Sequence, residues 1–484
     1  MVRSAETSAE TARGEVPARP GASPTSKRAA QLADQIVGDI MAMGWPVGGL
    51  FGSEGELLER YRVSRAVFRE AVRLLEHQQV ARTRRGPGGG LVITEPTVDA
   101  VIDAVVLYLY RVDARLDELF EARIAVEEIV AELAPGRLDE QDLTRLRTFT
   151  GQGDHDLDAD PRALHAVLAS ITRNPALELF VDVLNRVAML YSTDWQSLRP
   201  AVGAAAAQAH ARIAEAVIAG DAGLARHRMR KHLEAEGEFL RRRRSTCELL
   251  PDNVVVLGES SNGKRAETVA RHITQEIVGG GLRPGQFVGA EKDLIEAEGV
   301  SRAVLREAVR LLEHHQIARM RRGPGGGLFV FEPSTVAVTD VVAIYLARKG
   351  MRLAGLAELR TGIELALAGL AADRIDAAGR ARIAQALERE KSSPDTEHAE
   401  VVHDLHAAVA SAAHSRALEL VALVLIRLSR LHQIERLAPK ERTQIAAEVL
   451  RTHEGIAAAI EDGDRELARH RIKRHLDALA ALIS

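Results

Sequence analysis

Two pairs of histidines stand at matched distances from two glycine turns. His210 precedes Gly220-Asp221 by ten residues and His232 follows Asp221 by eleven, and His453, Gly463-Asp464 and His475 repeat the layout. In an antiparallel helical hairpin, equal distances from the turn bring two side chains to one level. An earlier helical stretch in each half offers His165 and His406. Three imidazoles converging in a bundle core suit a divalent ion such as zinc with coordination positions left open. The plainer readings are a polar lining for a metal-free effector pocket, or surface histidines in a chain that holds 17 of them. A metalloenzyme built on three-His zinc is the rival function from another class. Against it, no Asp or Glu general base stands at a recognisable spacing from these histidines.

The second chemistry is cationic. SRAVFREAVRLLEHQQVARTRRGPGGG at 64–90 returns as SRAVLREAVRLLEHHQIARMRRGPGGG at 301–327, with 23 of 27 positions identical and every Arg and Gly kept. Residues 64–85 carry six arginines against two glutamates, as do 301–322, although the whole chain has a net charge of −4. On a helical wheel with Arg65 at zero, Arg69 and Arg73 fall at about 40° and about 80°. Val67, Phe68, Ala71, Leu74 and Leu75 lie on the other side. Arg302, Arg306 and Arg310 repeat the row. Planar guanidinium forks suit guanine edges and phosphates, whereas an ordinary solvated helix would carry charges without such context. GPGGG leads into an apolar strand and not a helix, so it reads as a hairpin tip and not as a nucleotide-phosphate loop.

The elements that must position these groups follow from punctuation. Lys27–Met43 has helical periodicity and ends at Gly44-Trp45-Pro46. Ser53-Glu54-Gly55-Glu56 is a capping box opening a short helix through Tyr61. Arg62–Ser64 makes a tight turn, and Ser64 caps a helix over Arg65–His77. Strands at Val80–Arg85 and Leu91–Thr94 flank the glycine loop. Three helices and a hairpin make a winged helix-turn-helix. From Val98 to about Arg244 only helices are expected, six or seven in an antiparallel bundle. Breaks are expected near Val112-Asp113, Ala134–Gly136, Gly151–Asp160, Asn174-Pro175, Trp195–Gly203 and Gly220-Asp221. The chain thus divides into a disordered tail (1–26), a winged domain (27–96), a helical effector domain (97–244), a linker (245–263), a second winged domain (264–333) and a second helical domain (334–484). The fold class is mainly α. A single cysteine, Cys247, excludes an internal disulfide framework. No apolar run is long enough to span a bilayer and the N-terminus lacks a signal-peptide core, so the cytoplasm is the expected location.

SEGELLERYRVSRAVFREAVRLLEHQQVARTRRGPGGG resembles the DNA-binding domain of GntR-type bacterial regulators, whose signature reads roughly S-E-R-x-L-A…V-S-R-x-x-V-R-E-A-L…L…G-x-G. The helical halves are similar to the ligand-binding FCD domain of the FadR subfamily. The likeness covers nearly the whole chain outside tail and linker, twice. It implies DNA contact by Arg65, Arg69, Arg302 and Arg306 and, from the wings, by Arg85-Gly86 and Arg322-Gly323. The family arginine after S-E is Gly55 in the first copy, while Lys292 keeps a charge in the second. The second copy has Ala290 and Asp293 where the capping box would be, which weakens that helix start by ~1 kcal/mol. FCD domains hold three such histidines plus an Asp one turn before the first. Pro161 and Val402 stand there, with His403 as a substitute to be tested. Arg123 and Arg360 match an FCD arginine that meets an effector carboxylate, although each also sits four residues before a Glu (Glu127, Glu364), the spacing of a simple helix ion pair. The implied protein is an operator-binding regulator, a repressor responding to a small-molecule effector. It acts as an intramolecular pseudo-dimer or as a homodimer. An architectural DNA-binding protein without an effector is the remaining alternative.

Overall fold

The computed structural model describes residues 24–84, 86, 88–150, 162–190, 195–242, 265–314, 317–321, 323, 325–331, 335–393, 403–432 and 439–483. Arg85, Arg322, Pro161, Val402, Cys247, the 245–263 linker and most of the 1–26 tail lie outside them. Two compact units emerge, Met1–Glu95 and Pro96–Ser484.

In the first unit, α1 (Pro24–Ala42), α2 (Glu54–Tyr61) and α3 (Arg65–His77) pack with β1 (Leu50–Gly52), β2 (Ala81–Arg84) and β3 (Gly90–Ile93). The capping box forms, with Ser53 Oγ accepting from the Glu56 amide at 3.3 Å and Glu56 Oε2 accepting from the Ser53 amide at 2.8 Å. Arg62 closes α2 in the left-handed region at φ 52°. Leu32, Ile36, Leu57, Phe68, Leu75 and Ile93 are buried together as the core. Three expectations needed correction. Helix α1 starts at Pro24, three residues inside the expected tail, because proline's fixed φ and missing N–H suit a first helical turn. Strand β2 starts one residue later than expected, at Ala81, and β3 is shifted one residue earlier, to Gly90–Ile93. A third strand, β1, adds to the hairpin in the order β1-β3-β2. Its three residues include a glycine and offer no alternation to read.

The second unit opens with α4 (Val98–Arg111), α5 (Leu116–Leu133), α6 (Glu140–Arg147), α7 (Ala163–Ile171), α8 (Pro175–Leu190), α9 (Trp195–Ile218) and α10 (Ala222–Arg242). The expected break at Trp195–Gly203 is helix instead, the start of α9. The alanine-rich run that follows favours helix strongly enough to carry the Gly and Pro. Then come α11 (Arg265–Gly279), β4 (Phe287–Gly289), α12 (Glu291–Ala297), α13 (Arg302–His314), β5 (Ala318–Arg321) and β6 (Gly327–Val330), with sheet order β4-β6-β5. Helix α12 has no side-chain cap at Ala290. Gly327, at φ +154°, is required, since a Cβ there would lie 2.6 Å from the Gly289 oxygen. Last are α14 (Thr335–Arg348), α15 (Leu353–Arg374), α16 (Ala377–Ser392), α17 (Asp404–Ala412), α18 (Arg416–His432), α19 (Pro439–Glu461) and α20 (Arg465–Ile483).

In each bundle the second helix is central. Helix α5 packs on α8 and α10, as α15 does on α18 and α20. The bundles also meet each other, α4 on α14, α5 on α15, α5 on α18 and α8 on α15. The cross-bundle ion pairs Arg137–Glu358 and Arg374–Glu121 map onto one another when each residue is moved by 237 positions. That reciprocity is the contact pattern of an isologous interface.

Candidate functional site

The arginine rows lie where the wheel put them. Arg65, Arg69 and Arg73 are exposed on α3 while Val67, Phe68, Ala71 and Leu75 are buried, and Arg302, Arg306 and Arg310 are likewise exposed on α13 over Leu305, Ala308 and Leu312. Neighbouring acids hold them loosely. Arg69 Nε is 3.7 Å from Glu54, and Arg302 and Arg306 share Glu291 at 3.2 and 3.3 Å. Exposed pairs of this kind are worth roughly 0–1 kcal/mol, so a phosphate can displace them. Lys292 is exposed on α12. Gly86 and Gly323, at φ 99° and 101°, are exposed at the hairpin tips. The tips differ in detail, for Arg84 donates to the Gly88 carbonyl at 2.8 Å whereas Arg321 stacks over Phe329 with its centroid at 4.2 Å.

The six histidines form two buried triads, His165–His210–His232 and His406–His453–His475, each with one ring nitrogen per residue lying within 4.8 Å of the others. Nε2 of His232 is 3.1 Å from Nε2 of His210 and 3.3 Å from Nε2 of His165, and Nε2 of His453 is 3.2 Å from Nε2 of His475. Zinc–nitrogen bonds of about 2.0–2.1 Å at tetrahedral angles require nitrogens about 3.3 Å apart. The donor sets fit that ion. Burial drives the pKa of His210 down to about 2, with His165 and His232 adding to the shift. Burial also takes His232 to about 4 and His475 to about 2. These imidazoles are therefore neutral and able to ligate near pH 7.

Carboxylates orient the rings from behind. Glu127 contacts His165 Nδ1, and Glu364 contacts His406 Nδ1, leaving Nε2 to face the centre. Glu390 Oε2 lies 2.7 Å from His453 Nδ1. Burial alone would raise the Glu127 pKa, but His165 and Arg123 outweigh it and bring it to about 2. Arg360 and His406 outweigh burial in the same way to depress Glu364. Sequence spacing from the histidines does not reveal these carboxylates. Glu127 and Glu364 come from the central helix, about 40 residues distant in sequence, and only the fold brings them in. His403 does not join its triad. Its Nδ1 faces Arg360 Nη2 at 3.4 Å.

Arg123 and Arg360 are both buried, and each makes the expected i,i+4 pair, with Nε 3.1 Å from Glu127 and 2.5 Å from Glu364. Each shared carboxylate therefore links an arginine to a histidine triad. Beyond that the copies differ, since Arg123 Nη1 also pairs with Glu236 Oε1 at 2.8 Å. Glu236, on α10, stands four residues after His232, with its Oε2 3.9 Å from that ring's Nε2.

The FCD domain model matches 118–235 and 355–478, together half of the chain, and the model described as "Bacterial regulatory proteins, gntR family" matches 265–330. The "Uxu operon regulator" of Haemophilus influenzae is 28% identical over 160 residues, 32% of this chain and 56% of that protein. The "HTH-type transcriptional regulator LutR" of Bacillus subtilis is 31% identical over 111 residues, 23% of this chain and 50% of that protein. The chain thus spans about half the length of these relatives. The solved structure of Streptococcus agalactiae GntR is 20% identical, over 45% of this chain and 99% of that one, with a TM-score of 0.33. The matched families and named relatives are regulators, which sets the enzyme reading aside.

Proposed function

Because the chain belongs to the GntR family of bacterial regulators and carries two FCD domains, we propose that it is a sequence-specific DNA-binding transcriptional repressor whose operator affinity is set by a small carboxylate effector held in the helical bundles. The carrying observation is the exposed arginine row on α13, inside the region matched to the family's DNA-binding domain, over a face that buries Leu305, Ala308, Val309 and Leu312. Residues 24–95 repeat every element of that domain, which supports α3 as the second reader. Arg65, Arg69 and Arg73, with Arg302, Arg306 and Arg310, meet base edges and phosphates in the major groove. Lys292 adds a phosphate contact, and Arg85-Gly86 and Arg322-Gly323 reach the backbone from the wings. The domain limits at 27–96, extended back to Pro24 by the start of α1, and at 97–244, 264–333 and 334–484 belong to this reading.

Each triad would hold one divalent ion, zinc or similar, through the Nε2 atoms of His165, His210 and His232 and of His406, His453 and His475. Such an ion would offer open positions and positive charge to an anionic effector. Arg123 and Arg360 supply the adjacent guanidinium edges. The reciprocal contacts between bundles support an intramolecular pseudo-dimer that presents both readers to one two-fold operator, with the cytoplasm as its compartment. Among the described residues no helix is long and apolar enough to cross a membrane. Sequencing the genomic fragments retained by the purified chain tests the proposal. A recurrent inverted repeat is expected, and retention without sequence preference would refute specific recognition.

A further inference from the structure

The two arginines that would receive an effector carboxylate are equivalent in sequence but stand in different surroundings. In the first bundle, Arg123 is 2% exposed and lies between two carboxylates, Glu127 on its own helix and Glu236 on α10. Glu236 Oε1 lies 2.8 Å from Arg123 Nη1, and its Oε2 lies 3.9 Å from Nε2 of His232. Every nearby position of the second bundle can be placed by the repeat: HRMRKHLEAEG at 227–237 aligns with HRIKRHLDALA at 470–480. The residue matching Glu236 is Leu479, and the one matching Gly237 is Ala480. Arg360 Nη1 has in its reach the hydroxyl of Ser429 at 3.4 Å, where the first bundle carries Ala188. Beside that guanidinium is a cavity of about 50 Å³, lined by Arg360, Thr361, Ser429, Leu479 and Ala480 among others.

A buried guanidinium presents two edges to acceptors. In the first bundle both face carboxylates of the protein itself. In the second bundle Nε is held by Glu364 and Nη2 faces His403 Nδ1 at 3.4 Å, while Nη1 borders a small cavity with a hydroxyl at one side and a leucine where the first copy has its acid. We propose that the carboxylate effector binds only to the second bundle, at Arg360, and that Glu236 is a tethered carboxylate occupying the corresponding place in the first. This inference rests on the carboxylate-effector reading above and narrows it to one responsive site and one self-filled site per chain. The self-filled bundle stays in its carboxylate-bound arrangement whatever the effector concentration, so the second bundle alone reports it.

The test exchanges the two residues between copies in the full-length, zinc-loaded chain. Short carboxylates (acetate, propionate, oxalate, malonate and succinate) are screened by calorimetry, and the tightest is titrated into wild type, Leu479→Glu, Glu236→Leu and Arg360→Gln. Wild type should bind one equivalent per chain. Leu479→Glu should weaken that binding by at least about tenfold, since the new acid competes for the guanidinium. Arg360→Gln should match it by a different route, which covers the case of a poorly folded Leu479→Glu protein. Glu236→Leu should gain a second equivalent. Two equivalents in wild type, or Leu479→Glu binding as wild type does, would overturn the one-site proposal while leaving carboxylate binding standing. No binding by wild type and none by Glu236→Leu would overturn the carboxylate reading, and the inference with it.

Discussion

Arg111 is the last residue of α4 in the first bundle, and its guanidinium grips the second winged domain. Nη2 donates to the Ile317 carbonyl at 2.5 Å and Nη1 donates to the Phe331 carbonyl, at the two outer ends of the β5–β6 hairpin. Nearby, Tyr108 and Thr335 share a hydroxyl–hydroxyl bond of 3.1 Å. Burial lowers the Arg111 pKa to about 10, still far enough above neutrality to keep the charge. Hydrogen bonds to a charged donor are worth about 1.5–3 kcal/mol each. The site is half-buried, so water recovers part of the loss once the side chain is removed, and about 3 kcal/mol is the expected cost of Arg111→Leu. At 1.36 kcal/mol per decade, that is about a hundredfold. Hydrogen exchange of a peptide spanning 317–331 should accelerate by about that factor. The corresponding peptide over 80–94, in the other compact unit, should not change, and Arg111→Lys should lie between. Acceleration below about threefold, in a protein with unchanged far-ultraviolet dichroism, would refute the claim that the guanidinium holds the wing.

Arg69→Ala and Arg306→Ala should each weaken operator binding by about 1–3 kcal/mol, as for a lost bidentate guanine contact. The double variant should retain only weak, steeply salt-dependent binding in a filter or anisotropy assay. Metal analysis of untagged protein should find up to two divalent ions per chain, and His210→Ala with His453→Ala should remove them. The metal-free protein should also lose stability on acidification. His210, His232 and His475 have folded pKa values of about 2, 4 and 2. An unfolded imidazole titrates near 6.5, so stability is greatest above that pH and falls as the unfolded state gains protons below it. Melting temperatures that stay level between pH 7.5 and pH 5 would contradict this. Light scattering at micromolar concentration should give one chain mass, 52.5 kDa, and about twice that mass would replace the pseudo-dimer with a homodimer.

What the sequence made legible was local. Ser53 and Glu56 announce their capping box, and α3 runs from Arg65 to His77 because Ser64 caps it and the apolar residues recur at helical spacing. The histidine pairs were legible because a hairpin converts equal distance from Gly220 or Gly463 into equal height. What escaped was non-local. Strand β1 is three residues long and becomes a strand only by pairing with β3. Glu127, Glu364 and Glu390 reach the histidines across the bundle; the arginines four residues before Glu127 and Glu364 mark an ion pair there, but not the histidine contact. Arg111 reads as an ordinary basic residue closing a helix, a position that favours cations in any case. Its docking role needs the wing in place. Glu236 stands four residues after His232, but its pairing with Arg123 needs the fold, and its asymmetry shows when the halves are laid side by side and its counterpart proves to be leucine.

That last comparison bears on why two units share one polypeptide. In a homodimer every substitution occurs twice, at both symmetry-related positions, so a change that suits one site is imposed on the other. A tandem chain escapes that constraint. The reciprocal pairs Arg137–Glu358 and Arg374–Glu121 show the interface between bundles keeping its symmetry. Away from it the copies part: Ser53 against Ala290 at the helix cap, Gly55 against Lys292 at the reader, Glu236 against Leu479 beside the buried arginine. Each difference lies where one reader or one effector site can change without disturbing the packing that joins the halves. A regulator built this way can hold one half fixed while the other responds. It would follow effector concentration with a simple one-site dependence, in place of the cooperative response that two coupled identical sites allow. Measuring operator release against effector concentration distinguishes the two. A Hill coefficient near one is expected, and a value approaching two would show that both bundles respond.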